Sequence, residues 1–283
     1  MIERRAERCE YLQFDGLSAW PAVTHAVFTR RGGYSAAPFD GLNLSVSTGD
    51  DLATVRRNRR IVSVALGMPL ISAFPTHGAV VAIVDREQFD AARREGDAWP
   101  ARLQERMRAT HADAMLTDIS GFALFWAYGD CAPILLYDPV RGVVGLVHAG
   151  WRGTAQGVTA RTIAAMQERF GSRPSAIHAA VGPAIGACCY EVTDAVRQAF
   201  AADPLAQEAG VFVERETPNG AGLYLDVGAS NERQLLLAGI APERVEVSGY
   251  CTGCSPDLFY SNRRGPRHGG RFGVAVGLRE ERV

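Results

Sequence analysis

Two short apolar runs, ILLY at residues 134–137 and VVGLV at 143–147, flank a turn-forming stretch. The stretch contains Asp138-Pro139 and Arg141-Gly142, which are typical of tight turns. Each run is rich in residues favoured in buried β-strands and is too short for a core helix. The pattern therefore predicts two adjacent buried strands joined as an antiparallel hairpin.

A cysteine and a histidine stand at the outer ends of this predicted hairpin. Cys131 precedes the first strand within GDCAP (129–133), and His148 follows the second within HAGWRG (148–153). An antiparallel turn brings the two side chains to the same end of the hairpin. The flanking turn residues expose backbone beside both groups. The sequence therefore predicts a site at this end.

Three interpretations fit such a pair. The imidazole of His148 can act as a base toward a Cys131 nucleophile. The two residues can instead be two of the three protein ligands of a catalytic zinc site. In the third interpretation Cys131 is a small buried apolar residue and His148 a structural histidine at a strand end.

Four motifs occur in order along the chain: GDCAP (129–133), HAGWRGT (148–154), VGPAIG (181–186) followed by CCYEV (188–192), and FYSNRR (259–264). Together they resemble the laccase-domain family of purine nucleoside phosphorylases, which older descriptions call polyphenol oxidases. The resemblance extends from about residue 24 to residue 278. It implies phosphorolysis of adenosine, inosine and S-methyl-5'-thioadenosine to the free base and a ribose 1-phosphate, with adenosine deaminase activity beside it.

The resemblance also implies that His77, Cys131 and His148 hold Zn²⁺ with an open coordination position. Copper is the less favoured metal, and a thiolate with two imidazoles suits zinc better than magnesium or calcium. Pro75 and Thr76 precede His77, where the family usually has Gln-Val. His268 lies in an arginine-flanked segment and is interpreted as a loop residue rather than a ligand.

The sequence contains no lysine, so all 30 basic residues are arginines. This excludes a Schiff-base, P-loop or kinase-type lysine. Phosphate must therefore be held by arginine, backbone amides or metal. Arg152 is the first candidate because a helix is expected to start beside it, although packing on Trp151 is the alternative. Arg30, Asn43 and Arg263 are further candidates on the substrate side.

Composition sets the remaining limits. With 283 residues and 47% hydrophobic content, the chain is long enough for one large domain spanning 1–283. A net charge of −1 gives no broad electrostatic argument for nucleic acid or an anionic membrane. No apolar run approaches the roughly 20 residues of a membrane span, and the first residues lack a signal-peptide core. We expect a cytoplasmic monomer or homodimer.

The six cysteines are expected to be reduced thiols, because the chain is long, not cysteine-dense and expected to be cytoplasmic. Cys251 and Cys254 form a C-x-x-C motif. A zinc ribbon needs a second pair spaced by two residues, whereas Cys188 and Cys189 are adjacent. Sequence spacing therefore favours thiols without a metal at these positions.

Strands and helices are predicted to mix along the chain without a strict βαβ rhythm. This favours an α+β fold with mixed central sheets flanked by helices. A helix capped near Asp51 is expected to end at Gly67, and another is expected to run from a Thr154 cap to Phe170. The segment 86–108 is predicted to be a loop and helix, and 259–261 a strand.

Two other function classes remain open. One is a Cys–His hydrolase, with Cys131 as nucleophile and His148 as base, acting on an amide such as a peptidoglycan precursor. The other is a binding module without enzymatic activity. A true multicopper oxidase is not expected, because the chain has six histidines and no His-x-His pair. Metal content and nucleoside turnover distinguish these classes.

Overall fold

The computed structural model describes residues 1–218, 220–265 and 269–280. Its strands are Ile2–Ala6 (β1), Cys9–Gln13 (β2), Val23–Gly32 (β3), Leu70–Ile71 (β4), Val81–Ile83 (β5), Ala114–Thr117 (β6), Ala123–Tyr128 (β7), Ala132–Asp138 (β8), Val143–Ala149 (β9), His178–Val181 (β10), Glu191–Val192 (β11), Phe212–Thr217 (β12), Gly220–Leu225 (β13), Val245–Val247 (β14) and Phe272–Leu278 (β15). Its α-helices are Asp15–Ser18 (α1), Leu52–Leu66 (α2), Arg86–Arg93 (α3), Trp99–Arg108 (α4), Trp151–Ala155 (α5), Val158–Phe170 (α6), Asp194–Ala201 (α7), Pro204–Ala209 (α8) and Val227–Leu237 (α9).

Two six-stranded sheets pack against each other at the centre of the fold. Their strand orders are β1-β2-β3-β15-β7-β4 and β14-β10-β8-β9-β6-β5, and a smaller sheet has the order β11-β13-β12. Both large sheets are mixed, because β4 pairs in parallel with β7 while β5 and β14 pair in parallel with β6 and β10. Helices α6 and α9 cover the second sheet, and α2 lies against β3. The α+β fold expected from the sequence is confirmed.

The predicted hairpin is the pair β8 and β9. Leu135 and Leu146 point into the core between the two large sheets, whereas Ile134 and Val147 point toward the helices. Burial on both faces explains why the runs are apolar without alternation. Pro133 pairs with His148 in the register, so Cys131 and His148 lie at the same end of the hairpin as predicted.

Helix boundaries follow the sequence in part. Asp51 caps α2 by accepting a hydrogen bond from the Thr54 amide, and the helix ends at Gly67 with φ of 72°. The predicted Thr154 cap is wrong. Gly157, with φ of 71°, separates α5 from α6, and Thr154 lies inside α5 with its hydroxyl bonded to the Gly150 carbonyl. The left-handed conformation of Gly157 breaks the continuous helix that the pattern predicted.

Three further differences concern local structure. The predicted strand at 259–261 is absent: the Phe259 amide bonds to the Ser255 carbonyl in a local turn, and the Ser261 hydroxyl donates to Asp130. The segment 86–108 forms two helices, α3 and α4, and the first residues form the unpredicted strands β1 and β2.

Within the described ranges, no helix is both long and apolar enough to span a membrane.

Candidate metal and substrate site

Three side chains converge beyond the open end of the β8–β9 hairpin. The nitrogen and sulfur ligand atoms of His77, Cys131 and His148 all lie within 4.8 Å of one another. The two imidazole ring centroids are 4.9 Å apart. One thiol and two imidazoles at this spacing can hold a metal ion with three protein ligands and leave a fourth position for substrate.

His148 is buried, and its Nδ1 atom has no hydrogen-bond partner in the part of the chain that the structure describes. Its ring packs against Tyr128 and Trp126, with centroid distances of 5.2 and 6.2 Å. A buried polar atom without a partner costs about 1–3 kcal/mol. A metal ion bound by this nitrogen would remove that cost, so the residues present fit a metal.

Gly150 leaves the space in which the ligand side chains meet. A Cβ atom at this position would lie 2.9 Å from the Cys131 Sγ and 3.5 Å from the His77 Nδ1. The first distance is shorter than real Cβ contacts allow, so any larger residue would displace the thiol. The first glycine in HAGWRG, Gly150, is therefore explained by the close approach of these side chains.

Asp113 connects the segments that carry the two histidines. Its carboxylate accepts hydrogen bonds from the Thr76 amide at 2.9 Å and the Thr76 hydroxyl at 2.6 Å. Its carbonyl accepts one from the His148 amide at 2.7 Å. Thr76, which departs from the family pattern, thereby anchors the loop in which His77 has φ of 60°. Sequence reasoning missed Asp113; the available signal was a carboxylate at the start of an apolar strand.

Asp130, which directly precedes Cys131, also anchors a neighbouring segment through its carboxylate. Its Oδ1 accepts hydrogen bonds of 2.7 Å from the hydroxyls of Thr252 and Ser261, and its Oδ2 accepts one of 2.7 Å from the Arg263 amide. Asp130 is also one of two non-glycine residues, within the described ranges, that have positive φ, with a value of 91°. This carboxylate therefore fixes the 252–263 segment beside the cluster.

Burial is the largest cause of the pKa shifts of two residues in the cluster, Cys131 and His148. It raises the pKa of the Cys131 thiol to about 12, with a smaller contribution from the Asp130 charge. It lowers the pKa of His148 to about 3, and His77 adds to this shift. Without a metal both groups are therefore neutral at pH 7. A bound divalent cation reverses this preference, because a coordinating thiol loses its proton.

The cluster lies at one wall of a cavity of about 400 Å³, a size suited to a small molecule. Arg152 lines it, with its guanidinium carbon 4.4 Å from the Trp151 ring centroid. Stacking on Trp151 was the alternative interpretation of this residue, and the structure shows it together with cavity exposure. The helix start differs from the prediction, because Arg152 lies within the first turn of the five-residue helix α5.

Two further arginines line the same cavity. Arg263 lies over the Tyr190 ring at 4.7 Å and donates a hydrogen bond to the Glu191 carbonyl. Arg271 donates to Asn262 Oδ1 and to the carbonyls of residues 269 and 270. Sequence reasoning missed Arg271, since its signal was only an arginine before a predicted strand.

Arg30 and Asn43 are absent from the residues that line this cavity. Arg30 stacks on Tyr260 at 4.5 Å and pairs with Asp40. Asn43 is fully buried, and its Oδ1 accepts a hydrogen bond of 2.9 Å from the Arg271 amide. Asn43 therefore supports a residue of the cavity wall. His268 lies outside the described residues.

The chain resembles known proteins in both sequence and structure. The sequence profile of the family described as multi-copper polyphenol oxidoreductase laccase matches residues 24–279. The purine nucleoside phosphorylase YlmD of Geobacillus stearothermophilus is 37% identical over 270 residues, covering 94% of each chain. YlmD of Bacillus subtilis is 34% identical over 256 residues, covering 89% of this chain and 87% of its own.

Solved structures give the same result. The crystal structure of YlmD from Geobacillus stearothermophilus matches with a TM-score of 0.82 at 33% identity, covering 98% of both chains. The Bacillus licheniformis hypothetical protein YfiH matches with a TM-score of 0.83 at 32% identity, covering 98% of this chain and 99% of its own. Because the profile and these relatives match nearly the full length, the chain belongs to the laccase-domain family.

Proposed function

We propose that this chain is a zinc-dependent purine nucleoside phosphorylase, with residues 1–283 acting as one domain. Its substrates are adenosine, inosine and S-methyl-5'-thioadenosine together with phosphate, and it has adenosine deaminase activity as a side reaction. The names of the relatives support the reaction class. The observation that carries the proposal is the presence of a three-ligand cluster and three arginines in one cavity.

The donor set supports zinc. One thiolate and two imidazoles with an open position are typical of catalytic zinc, although copper accepts the same donors. When bound, zinc would supply the Lewis-acid chemistry that water activation in deamination requires. Multicopper oxidation is not proposed, because only His77 and His148 among the described histidines share a ligand cluster.

Arg152 is the best-placed phosphate ligand. Its guanidinium has no hydrogen-bond or ion-pair partner in the described part of the chain, and stacking on Trp151 limits its motion. It can therefore give two parallel hydrogen bonds to a phosphate without losing existing ones. Arg263 and Arg271 are held by their own hydrogen bonds and add fixed positive charge.

These charges suit phosphorolysis. In that reaction a phosphate oxygen bonds to the anomeric carbon of the ribose while the bond from that carbon to the base nitrogen breaks. The base then takes up a proton and leaves. Arginines that hold the phosphate at the sugar contribute positioning, and they stabilise the charge that it retains in the transition state.

The Cys–His hydrolase is the second candidate, and the protonation of the pair weighs against it. A thiol with a pKa of about 12 beside an imidazole with a pKa of about 3 has little tendency to form the reactive ion pair. The same two residues are well suited to bind a metal, because coordination supplies the charge that stabilises the thiolate.

The experiment is a nucleoside panel assayed with and without phosphate, using zinc-loaded protein and its His148→Ala variant. We expect the free base and ribose 1-phosphate only when phosphate is present, and deamination of adenosine in either case. Both reactions should be lost in the variant. Amide hydrolysis by metal-depleted protein, without nucleoside turnover, would replace this proposal with the hydrolase.

A further inference from the structure

A second cluster of metal-binding side chains lies away from the hairpin end. The four Sγ atoms of Cys188, Cys189, Cys251 and Cys254 all lie within 4.8 Å of one another. Sequence spacing favoured idle thiols here, because Cys188 and Cys189 are adjacent. The fold supplies the second pair that the C-x-x-C motif lacks.

We propose that these four cysteines form a structural zinc site, distinct from the catalytic metal proposed above. A tetrahedral Zn²⁺ with four sulfur ligands at about 2.3 Å places the sulfur atoms about 3.8 Å apart. Here the Sγ of Cys254 lies 3.3 Å from that of Cys188 and 3.4 Å from that of Cys189. All four are free thiols. The two distances are far longer than the roughly 2.0 Å of a disulfide bond and lie within about 0.5 Å of the tetrahedral spacing.

Backbone hydrogen bonds fix the turn at residues 251–254 and the position of the Cys251 thiol. The 251–254 turn is closed by a hydrogen bond from the Cys254 amide to the Cys251 carbonyl, and the Gly186 amide donates to the Cys251 Sγ at 3.4 Å. Amide donors of this kind orient metal-bound thiolates and offset part of their charge. The two cysteine segments are also joined by the bridge between Ala184 and Cys251.

Close packing against Cys189 favours a glycine at position 253, between the two cysteines of the C-x-x-C motif. A Cβ atom at Gly253 would lie 3.0 Å from the Cys189 Sγ and 3.1 Å from its Cβ. A larger residue would therefore require Cys189 and the equally close Arg264 side chain to shift by a few tenths of an ångström. The cluster is accessible to a metal ion, since Cys188 and Cys254 are exposed while Cys189 is buried.

Positive charge beside the cluster stabilises the deprotonated, thiolate form of the four cysteines. A zinc ion with four thiolates carries a net charge of −2, and the adjoining depression contains three arginines and one glutamate. These are Arg215, Arg263, Arg264 and Glu191.

The same cluster ties the 186–190 turn to the segment that begins at Cys251. Thr252 in that segment holds Asp130 next to the catalytic ligands. We therefore assign the metal a role in fixing this wall of the cavity.

Elemental analysis of purified, zinc-saturated protein tests the proposal. Wild-type protein should contain about two zinc ions per chain, and Cys131→Ser and Cys254→Ser about one each. The double variant should contain close to none. Cys9→Ser is the matched control, because it removes a buried thiol from the first sheet and should keep the full zinc content.

Cobalt titration of Cys131→Ser provides a test that leaves all four cysteines intact. Intense thiolate-to-cobalt absorption at about one equivalent, abolished in Cys131→Ser/Cys188→Ser, would support the site. Absence of that absorption, or a thiol count in unreduced, unfolded wild-type protein that is two or more below six, would overturn it. A brown iron chromophore in place of zinc would also overturn the zinc assignment.

Discussion

The hydroxyl of Thr252 donates a hydrogen bond of 2.7 Å to Oδ1 of Asp130. Thr252 directly follows Cys251, and Asp130 directly precedes Cys131. We assign both of these cysteines to metal sites. The two clusters are therefore connected by one hydrogen bond and two peptide links. Through this connection we expect a metal held by the four cysteines to influence the geometry of the cavity wall without contacting substrate.

Loss of any ligand of the catalytic cluster should lower the zinc content by one equivalent. We expect this for His77→Ala, Cys131→Ala and His148→Ala, because three protein ligands are the minimum for a catalytic zinc site. Elemental analysis of the folded variants measures it, and His111→Ala provides a control at an exposed histidine. Undiminished zinc in Cys131→Ala would show that the metal lies elsewhere.

Gly150→Ala should weaken zinc binding without disturbing the backbone. Gly150 has φ of −79° and ψ of 170°, a conformation open to alanine, so the effect comes from the added Cβ against the Cys131 Sγ. We expect a loss of affinity of about ten- to a hundredfold, as for other changes next to metal ligands. Competition with a zinc chelator measures it.

Gly228→Ala is the matched control, because its Cβ would meet the nearest atom at an ordinary 3.5 Å. Equal zinc affinity in both alanine variants would contradict the steric argument.

Arg152→Ala should retain zinc and lose phosphorolysis. Removing a charge-assisted contact to a transition-state phosphate costs a few kcal/mol, or roughly a hundredfold in rate. Arg152→Lys should recover part of the rate, since lysine keeps the charge without the bidentate geometry. Initial rates over a range of phosphate concentrations measure the effect.

The exposed Arg169 serves as a control for loss of one surface charge. If Arg152→Ala were folded, metal-loaded and as active as wild type, the phosphate role would pass to Arg263 or Arg271.

Asp130→Asn should destabilise the protein and leave the catalytic zinc in place. The amide of asparagine cannot accept all three hydrogen bonds that the carboxylate accepts, so one donor faces another donor. The free energy of unfolding should fall by about 1–3 kcal/mol. Denaturant titration measures it, with Asp257→Asn as a control at an exposed carboxylate. A change confined to zinc content, with unaltered stability, would refute the anchoring role.

His25 should make the protein less stable below neutral pH. Burial lowers its pKa in the folded state to about 4 from an ordinary value of 6.5, and its Nε2 accepts a hydrogen bond from the Phe14 amide. Below pH 6.5 the unfolded chain binds a proton that the folded chain does not. The contribution of His25 to the free energy of unfolding is therefore fully present above pH 6.5. It decreases toward pH 4, by roughly 3 kcal/mol in total.

Denaturant unfolding of wild type and His25→Gln between pH 7 and pH 4 measures this contribution. The variant should show a shallower dependence on pH than the wild type. Parallel curves for wild type and His25→Gln would mean that His25 titrates alike in both states.

The sequence by itself determined the elements that depend on neighbours along the chain. Apolar runs separated by a tight turn were sufficient to predict β8 and β9, and antiparallel pairing then placed Cys131 and His148 at one end. Asp51 and Gly67 set the limits of α2 because capping is a local interaction. The resemblance to the laccase-domain family supplied His77, which local patterns alone do not connect to the other two ligands.

Tertiary structure alone decided the parts that depend on segments far apart in sequence. The carboxylates of Asp113 and Asp130 gained their partners only when distant loops closed over the hairpin. Arg271 entered the cavity wall and Cys188 met Cys254 for the same reason. Spacing along the chain predicts a contact only within one element or turn. Between sheets, packing and loop closure set the distance, and these depend on the whole chain at once.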